Sequence, residues 1–186
     1  MQVQPFHFEN EIPFQVPSCW VEAVIDTNNF GPSYAWTHNN LAFRGNNHIE
    51  LQNGFADTTM LISPEFSDMP MGQKQISFVA ASNTTPMSLI IGTIPDTSSY
   101  GSFLPLDTIH FSTADAYREY VVEINAANGY NGVHEHIAFL HGNELPNSRI
   151  YVDQFSYDTI PNCPKVINPF VTMVTDTSAT IDFPDN

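Results

Sequence analysis

Apolar and polar positions alternate along this chain in short runs, none long enough for an extended amphipathic helix. Strands are expected near 4–9, 19–25, 34–43, 47–52, 58–66, 74–82, 87–93, 103–111, 118–125, 134–141 and 149–157. In "QISFVAAS" (75–82), Ile76, Phe78 and Ala80 share one face; in "HIAFLH" (136–141), Ile137 and Phe139 share a face with Ala138 and Leu140 opposite. That period of two belongs to a pleated strand. The spacers are turn-forming: "DTNNFGPS", "RGNN", "SNTTP", "PDTSSYGS", "NAANGYNG" and "HGNELPNS". Asn and Gly there supply the positive-φ corners that tight connections need. One stretch, "STADAYREY" (112–120), reads instead as a short helix with Thr113 as its N-cap. Many short strands punctuated in this way predict an all-β fold, an antiparallel β-sandwich of the jelly-roll kind.

One position resists the pattern. "SRIYVDQFSYDTIPNCP" (148–164) is a strong strand sequence with Asp153 in its middle, and Asp is a poor strand former. The texture then changes. "PKVINPFVTMVTDTSATIDF" (164–183) has a proline-containing lead, followed by an alternation that places Ala179, Ile181 and Phe183 on one face. This segment resembles the opening of a fibronectin type III module. The expected division is therefore 1–160 for the sandwich and 161–186 for a linker and an incomplete fibronectin-like start. Two strands cannot close a seven-stranded sandwich, so the segment is expected to be completed by other residues or to lie as a tail.

Composition narrows the partners. Of 186 residues 42% are hydrophobic, with 14 Phe, enough for a substantial core. Twenty acidic residues face five basic ones, for a formal charge of −15. Such a surface repels phosphate backbones and acidic bilayers, so neither nucleic acid nor membrane insertion is expected. It suits divalent cations, or solubility alone. No apolar run approaches the ~20 residues of a helical membrane span. "MQVQPFHFENE" lacks the pattern of a signal peptide, so either the protein is cytosolic or Met1 opens an excised piece, and the fibronectin-like segment favours the second. Cys19 in "PSCW" and Cys163 in "PNCP" both sit at proline corners near the ends of the first unit. They are expected to form a disulfide that staples the terminal strands, with two unpaired thiols as the alternative, and a disulfide implies an oxidising, secreted setting.

The ordered series "FHFEN" (6–10), "PSCW" (17–20), the Trp36 strand, "GNNHIELQ" (45–52), "MLISPEF" (60–66), "ISFVA" (76–80), "SLIIGT" (88–93), "YREYVVEI" (117–124), "HIAFLH" (136–141) and "IYVDQFSY" (150–157) resembles the MAM-like, gingipain-type cleaved adhesin domains of secreted Bacteroidetes proteins. The resemblance implies a MAM/concanavalin-like jelly roll in a secreted, cell-surface multidomain protein. It also implies a structural Ca²⁺, in which a carboxylate on the first strand meets one on the last. Glu9 and Asp153 take those places here, with "RGNN" (44–47), ending in Asn47, adding oxygens. Ca²⁺ takes six to eight hard oxygen ligands. The alternative for Asp153 is a solvated sheet edge. Asp26 and Asn28 form a second, weaker oxygen cluster, or simply a turn.

No catalytic signature is present. Cys19 lacks a local partner histidine signature, Ser63 lacks a nucleophile elbow, and the "HEH" of His134 and His136 lacks a third zinc ligand. Aromatic residues in polar loops, namely Phe30, Tyr34, Tyr100 and Tyr130, are the candidates for stacking on sugar rings, or else plugs that fold back onto the sandwich. Trp20 and Trp36 are assigned to the core. The expected function is a non-catalytic adhesion or carbohydrate-binding module whose partner is a glycan or an extracellular-matrix or cell-surface protein, alongside neighbouring modules of the same polypeptide. The alternatives are an ancillary domain of a secreted protease or glycoside hydrolase, and a structural spacer.

Overall fold

The computed structural model describes residues 8–25, 33–54, 57–142, 145–161, 170–175 and 178–182. Two five-stranded antiparallel sheets pack face to face. The first runs β1 (Val21–Ile25), β4 (Thr58–Ile62), β9 (His136–His141), β6 (Met87–Ile94), β7 (Leu104–Phe111). The second runs β2 (Tyr34–His38), β3 (His48–Gln52), β10 (Arg149–Thr159), β5 (Lys74–Ser82), β8 (Arg118–Ile124). Most neighbours in space are distant in sequence, as in a jelly roll, and the pairing of β10 between β3 and β5 carries the late chain into the middle of the second sheet.

The alternation explains the core. Leu61, Leu89, Ile91 and Phe139 of the first sheet meet Ile49, Leu51, Ile76, Phe78, Ile150 and Val152 of the second, all buried. Phe139 sets its ring edge-on to Phe78 at 5.1 Å and to Phe155 at 5.9 Å, an arrangement aromatic quadrupoles favour. Trp20, 6% exposed, stacks on Phe139 at one end of this layer.

Three expectations need correction. The helix over 112–120 does not form. Asp115 takes a φ of 55° and donates its N–H to the Ser82 carbonyl, and the β-favouring run from Arg118 pairs along β5 as β8. Phe8–Asn10 is a 3-10 turn where a strand was expected; residues 1–7 lie outside the described residues. Trp36 points away from the core, because Ala35 and Thr37 take the inward positions of β2. After the sandwich, β11 (Phe170–Val174) and β12 (Ala179–Asp182) pair with each other as a separate two-stranded sheet, leaving Val171, Met173 and Val174 exposed.

Candidate functional site

Asp153 sits where β10 is bulged. Its pairing with β5 shifts register between Asp153 and Ser156, and Gln154 adopts a φ of 53°. Bulges re-aim side chains. Val152 faces the core before the bulge and Phe155 after it, and Asp153 is turned toward the segment that precedes β3. It is 1% exposed. Its carboxylate accepts N–H bonds from Arg44 at 3.1 Å and Gln154 at 2.7 Å. Burial pushes its pKa up, those backbone donors pull it down, and the charge of Glu9 pushes it up again.

Glu9 arrives from the opposite end of the sequence. Its carboxylate accepts the Asn46 N–H at 2.7 Å and lies directly over Gly45, where a Cβ would fall 2.1 Å from the carboxyl carbon. Gly45 is favoured by its φ of 75°, and a Cβ there would displace the Glu9 carboxylate from this position. Asn47 is 5% exposed, and its Nδ2 lies 3.0–3.2 Å from the carbonyl oxygens of Phe8, Glu9 and Glu11. It lashes the 3-10 turn to the start of β3.

The structure therefore gathers Glu9, Asp153, Asn47 and the 43–47 loop beside the bulge of β10. The donors are hard oxygens, and each carboxylate has lone pairs beyond the N–H bonds it accepts. Two like charges held close, one of them buried, fit a cation with calcium's preferences. Among the described residues no three His, Cys, Asp or Glu side chains converge as a metal cluster, so further oxygens would have to come from carbonyls, the Asn47 amide and solvent.

A second constellation lies on the outward face of the second sheet and was not anticipated, apart from Tyr34. Cross-strand pairing sets Tyr34 opposite Gln52, Trp36 opposite Glu50 and His38 opposite His48; β10 adds Arg149 beside Gln52 and Tyr151 beside Glu50. Tyr34 and Trp36 stack at 4.6 Å and 23°. The Tyr34 hydroxyl lies 2.6 Å from Glu50 Oε1 and 2.9 Å from Gln52 Oε1, and burial, then Glu50, raises its pKa. Arg149 Nε donates to Gln52 at 2.9 Å and stands 3.4 Å from Glu50 Oε1. Trp36 is braced from behind by Glu22, whose carboxylate accepts both the indole N–H and the Ala35 N–H.

The floor of this face is not satisfied. Glu50 Oε2, His38 Nδ1 and both ring nitrogens of His48 are buried without a hydrogen-bond partner among the described residues. Burial, with a smaller contribution from His38, holds the His48 pKa down to about 4, so this ring is neutral at neutral pH. Around the floor stand Phe14, Leu41 and Phe43, all exposed, and the first two adopt φ values of 64° and 58°. Positive φ is unfavourable for bulky residues and concentrates at functional sites. The sequence signal was the alternation "YAWTH" and "HIELQ", in which every second residue is aromatic or polar.

The other aromatic candidates lie elsewhere. Tyr130 is 6% exposed within the core, and its hydroxyl donates to the His134 carbonyl, so its ring offers no surface platform. Tyr100 packs half-buried against the outer face of the first sheet. The "HEH" rings are engaged, His134 with the Thr93 hydroxyl and His136 with the Ser63 carbonyl. Cys19 is exposed, at φ 66°. Asp26, Asn28, Phe30 and Cys163 lie outside the described residues.

No protein-family model and no curated protein matches the chain. Solved structures do. The K2 cleaved adhesin domain of Lys-gingipain superposes with a TM-score of 0.65 at 17% identity, covering 83% of this chain and 98% of that one. The K1 cleaved adhesin domain of Lys-gingipain from Porphyromonas gingivalis W83 gives 0.63 at 18%, covering 83% and 96%. The shared feature is the fold. The carbohydrate-binding module TmCBM61, solved in complex with beta-1,4-galactotriose, gives 0.53 at 9%, covering 83% and 99%. The chain is an all-β jelly-roll sandwich of the kind these adhesin and carbohydrate-binding modules adopt.

Proposed function

We propose that the chain is a non-catalytic carbohydrate-binding adhesion module of a secreted, cell-surface bacterial protein, and that its sugar site is the outward face of the second sheet. The observation that carries this is the stacked Tyr34–Trp36 pair standing beside Glu50, whose buried Oε2 has no partner among the described residues. A pyranose has an apolar face for an aromatic ring and hydroxyls for a carboxylate, an amide and a guanidinium. Tyr34 and Trp36 supply the first; Glu50, Gln52 and Arg149 supply the second. A buried acceptor left unpaired costs on the order of 1–3 kcal/mol, and a sugar hydroxyl would remove that cost. The likeness to TmCBM61 supports the reading at the level of fold alone.

We further propose that Ca²⁺ occupies the Glu9–Asp153 cradle. There it would neutralise two carboxylates and hold the 8–11 turn and the 43–47 loop against β10. Its role is structural: the loop it fixes presents Phe43 beside the sugar face.

The test is a glycan array with Ca²⁺ present, followed by calorimetry on a positive sugar. Trp36→Ala should weaken binding by about 2 kcal/mol, roughly thirtyfold, the scale of losing a central aromatic anchor. If Trp36→Ala binds a confirmed glycan as tightly as the native protein, the sugar lies elsewhere. If no glycan binds the folded native protein, the carbohydrate reading is wrong.

A further inference from the structure

We propose that His38 and His48 form a two-histidine site for a borderline transition-metal ion, Zn²⁺, Cu²⁺ or Ni²⁺, at the end of the outward face remote from Tyr34. This inference does not depend on the sugar reading and uses none of the atoms that address the sugar.

The register places the two residues directly opposite each other on β2 and β3, both pointing outward. Their ring centroids are 6.0 Å apart at an interplanar angle of 35°. Two imidazoles that share one ion through nitrogens at ~2.0–2.1 Å have ring centres roughly 5–6.5 Å apart, so the observed spacing already suits a bridging ion.

The second observation is the state of the nitrogens. His48 is 0% exposed, and neither of its ring nitrogens has a hydrogen-bond partner among the described residues; His38 Nδ1 is likewise buried and unpartnered. A neutral imidazole carries one donor and one acceptor. A buried imidazole placed only for packing would ordinarily find a partner for at least one of them. The neighbours here are aromatic edges, Tyr151 on His48 at 5.2 Å and Phe14 on His38 at 4.7 Å. They shield the pair and offer it no ring-nitrogen partner, which leaves the nitrogen lone pairs available to a metal.

Ligand chemistry then selects the ion. Imidazole nitrogen suits Zn²⁺, Cu²⁺ and Ni²⁺, whereas Ca²⁺ and Mg²⁺ require oxygen. The pair is therefore chemically distinct from the Glu9–Asp153 cradle. With no third His, Cys, Asp or Glu converging among the described residues, solvent entering beside the half-exposed His38 would complete the coordination. Such a site keeps open positions, so an external donor could join the ion.

The experiment uses the full chain, stripped of metal and then saturated with Ca²⁺ so that the oxygen cradle cannot compete. Zn²⁺ is titrated calorimetrically, and Cu²⁺ is added for electron paramagnetic resonance. One ion per chain should bind, with nitrogen splitting from two equivalent imidazoles. His38→Gln should weaken Zn²⁺ about tenfold or more, at least the loss seen when only a supporting contact of a ligand is removed. It should also reduce the Cu²⁺ signal to one nitrogen. His110→Gln, at an exposed position on β7, should change neither readout. His48→Gln is expected to behave like His38→Gln; should it fail to fold, the half-exposed His38 variant still decides the matter. No Zn²⁺ uptake by the folded native protein, or unchanged uptake in His38→Gln, would overturn the proposal.

Discussion

The two sheets turn very different outer faces to the surroundings. On the first, Ala23, Met60, Ile62, Ile94 and Ala138 are buried beneath Val21, Tyr100, Phe103 and Leu140. Phe103 lies on Gly92, where a Cβ would meet its ring at 2.5 Å and the Leu104 carbonyl at 2.3 Å. This face is closed by the chain's own 95–103 segment, and it forms a second small core. On the second sheet the same positions carry Tyr34, Trp36, His38, His48, Glu50, Gln52, Arg149 and Tyr151, and four buried ring or carboxylate atoms lack partners among the described residues. One face has been filled for stability. The other holds polar groups whose needs the fold leaves open, a pattern proteins keep where something else must bind.

The largest expected effect comes from breaking the closed face. Gly92→Val puts methyl groups into a backbone carbonyl and an aromatic ring that cannot both move. It should cost about 3 kcal/mol, lowering Tm by roughly 6–12 °C in a domain of this size. Thermal unfolding followed by circular dichroism measures it. Sugar and Zn²⁺ binding by the folded fraction should be unchanged. If either is lost in step with stability, the two faces are coupled and the contrast fails.

The next effect concerns the cradle that borders the open face. A cation bound only by the folded chain stabilises by RT ln(1 + [L]/Kd), ~2.7 kcal/mol at a hundredfold excess over Kd. Chelation should therefore lower Tm by roughly 5–10 °C, with Ca²⁺ restoring it where Mg²⁺ does not. Asp153→Asn should abolish the response. A Tm indifferent to chelator would mean that the backbone N–H groups of Arg44, Asn46 and Gln154 are all these carboxylates hold.

The fold was legible because period-two alternation records burial. The expected span 74–82 coincides with β5, and most others fall within two residues of the observed strands, although β2 and β4 stop four to five residues earlier than expected. Helix propensity misled at 112–120, where the free edge of β5 claimed the chain. The juxtaposition of Glu9 with Asp153 came from resemblance to a family, since no local pattern joins residues so far apart. The outward face was hidden for another reason. "YAWTH" and "HIELQ" show alternation but not which set faces in, and Trp36 was assigned to the core because it falls on an expected strand. Only pairing shows that Ala35 and Thr37 point to the core and that three polar or aromatic pairs line up outside. Loop position did not reveal that Tyr130 is buried in the core and that Tyr100 packs half-buried on the outer face of the first sheet.

The smallest stability effect sharpens the contrast most. Glu50 is 1% exposed, and its Oε1 is met by the Tyr34 hydroxyl and Arg149, while Oε2 has no partner among the described residues. A buried, half-satisfied carboxylate is a liability to the folded state. Glu50→Gln preserves the shape and the Oε1 acceptor and removes the charge. If the face is held open for a ligand, this change should leave stability within about 1 kcal/mol of native or raise it, while sugar affinity falls about tenfold. Enzymes and binding proteins commonly show this opposition, because the group that binds is not the group that best stabilises the empty fold. If Glu50→Gln instead costs several kcal/mol, the Arg149–Glu50 pair is what secures β3 to β10, and the outer face of the second sheet would be filled for stability like that of the first. Thermal unfolding and sugar calorimetry on the one variant separate these outcomes.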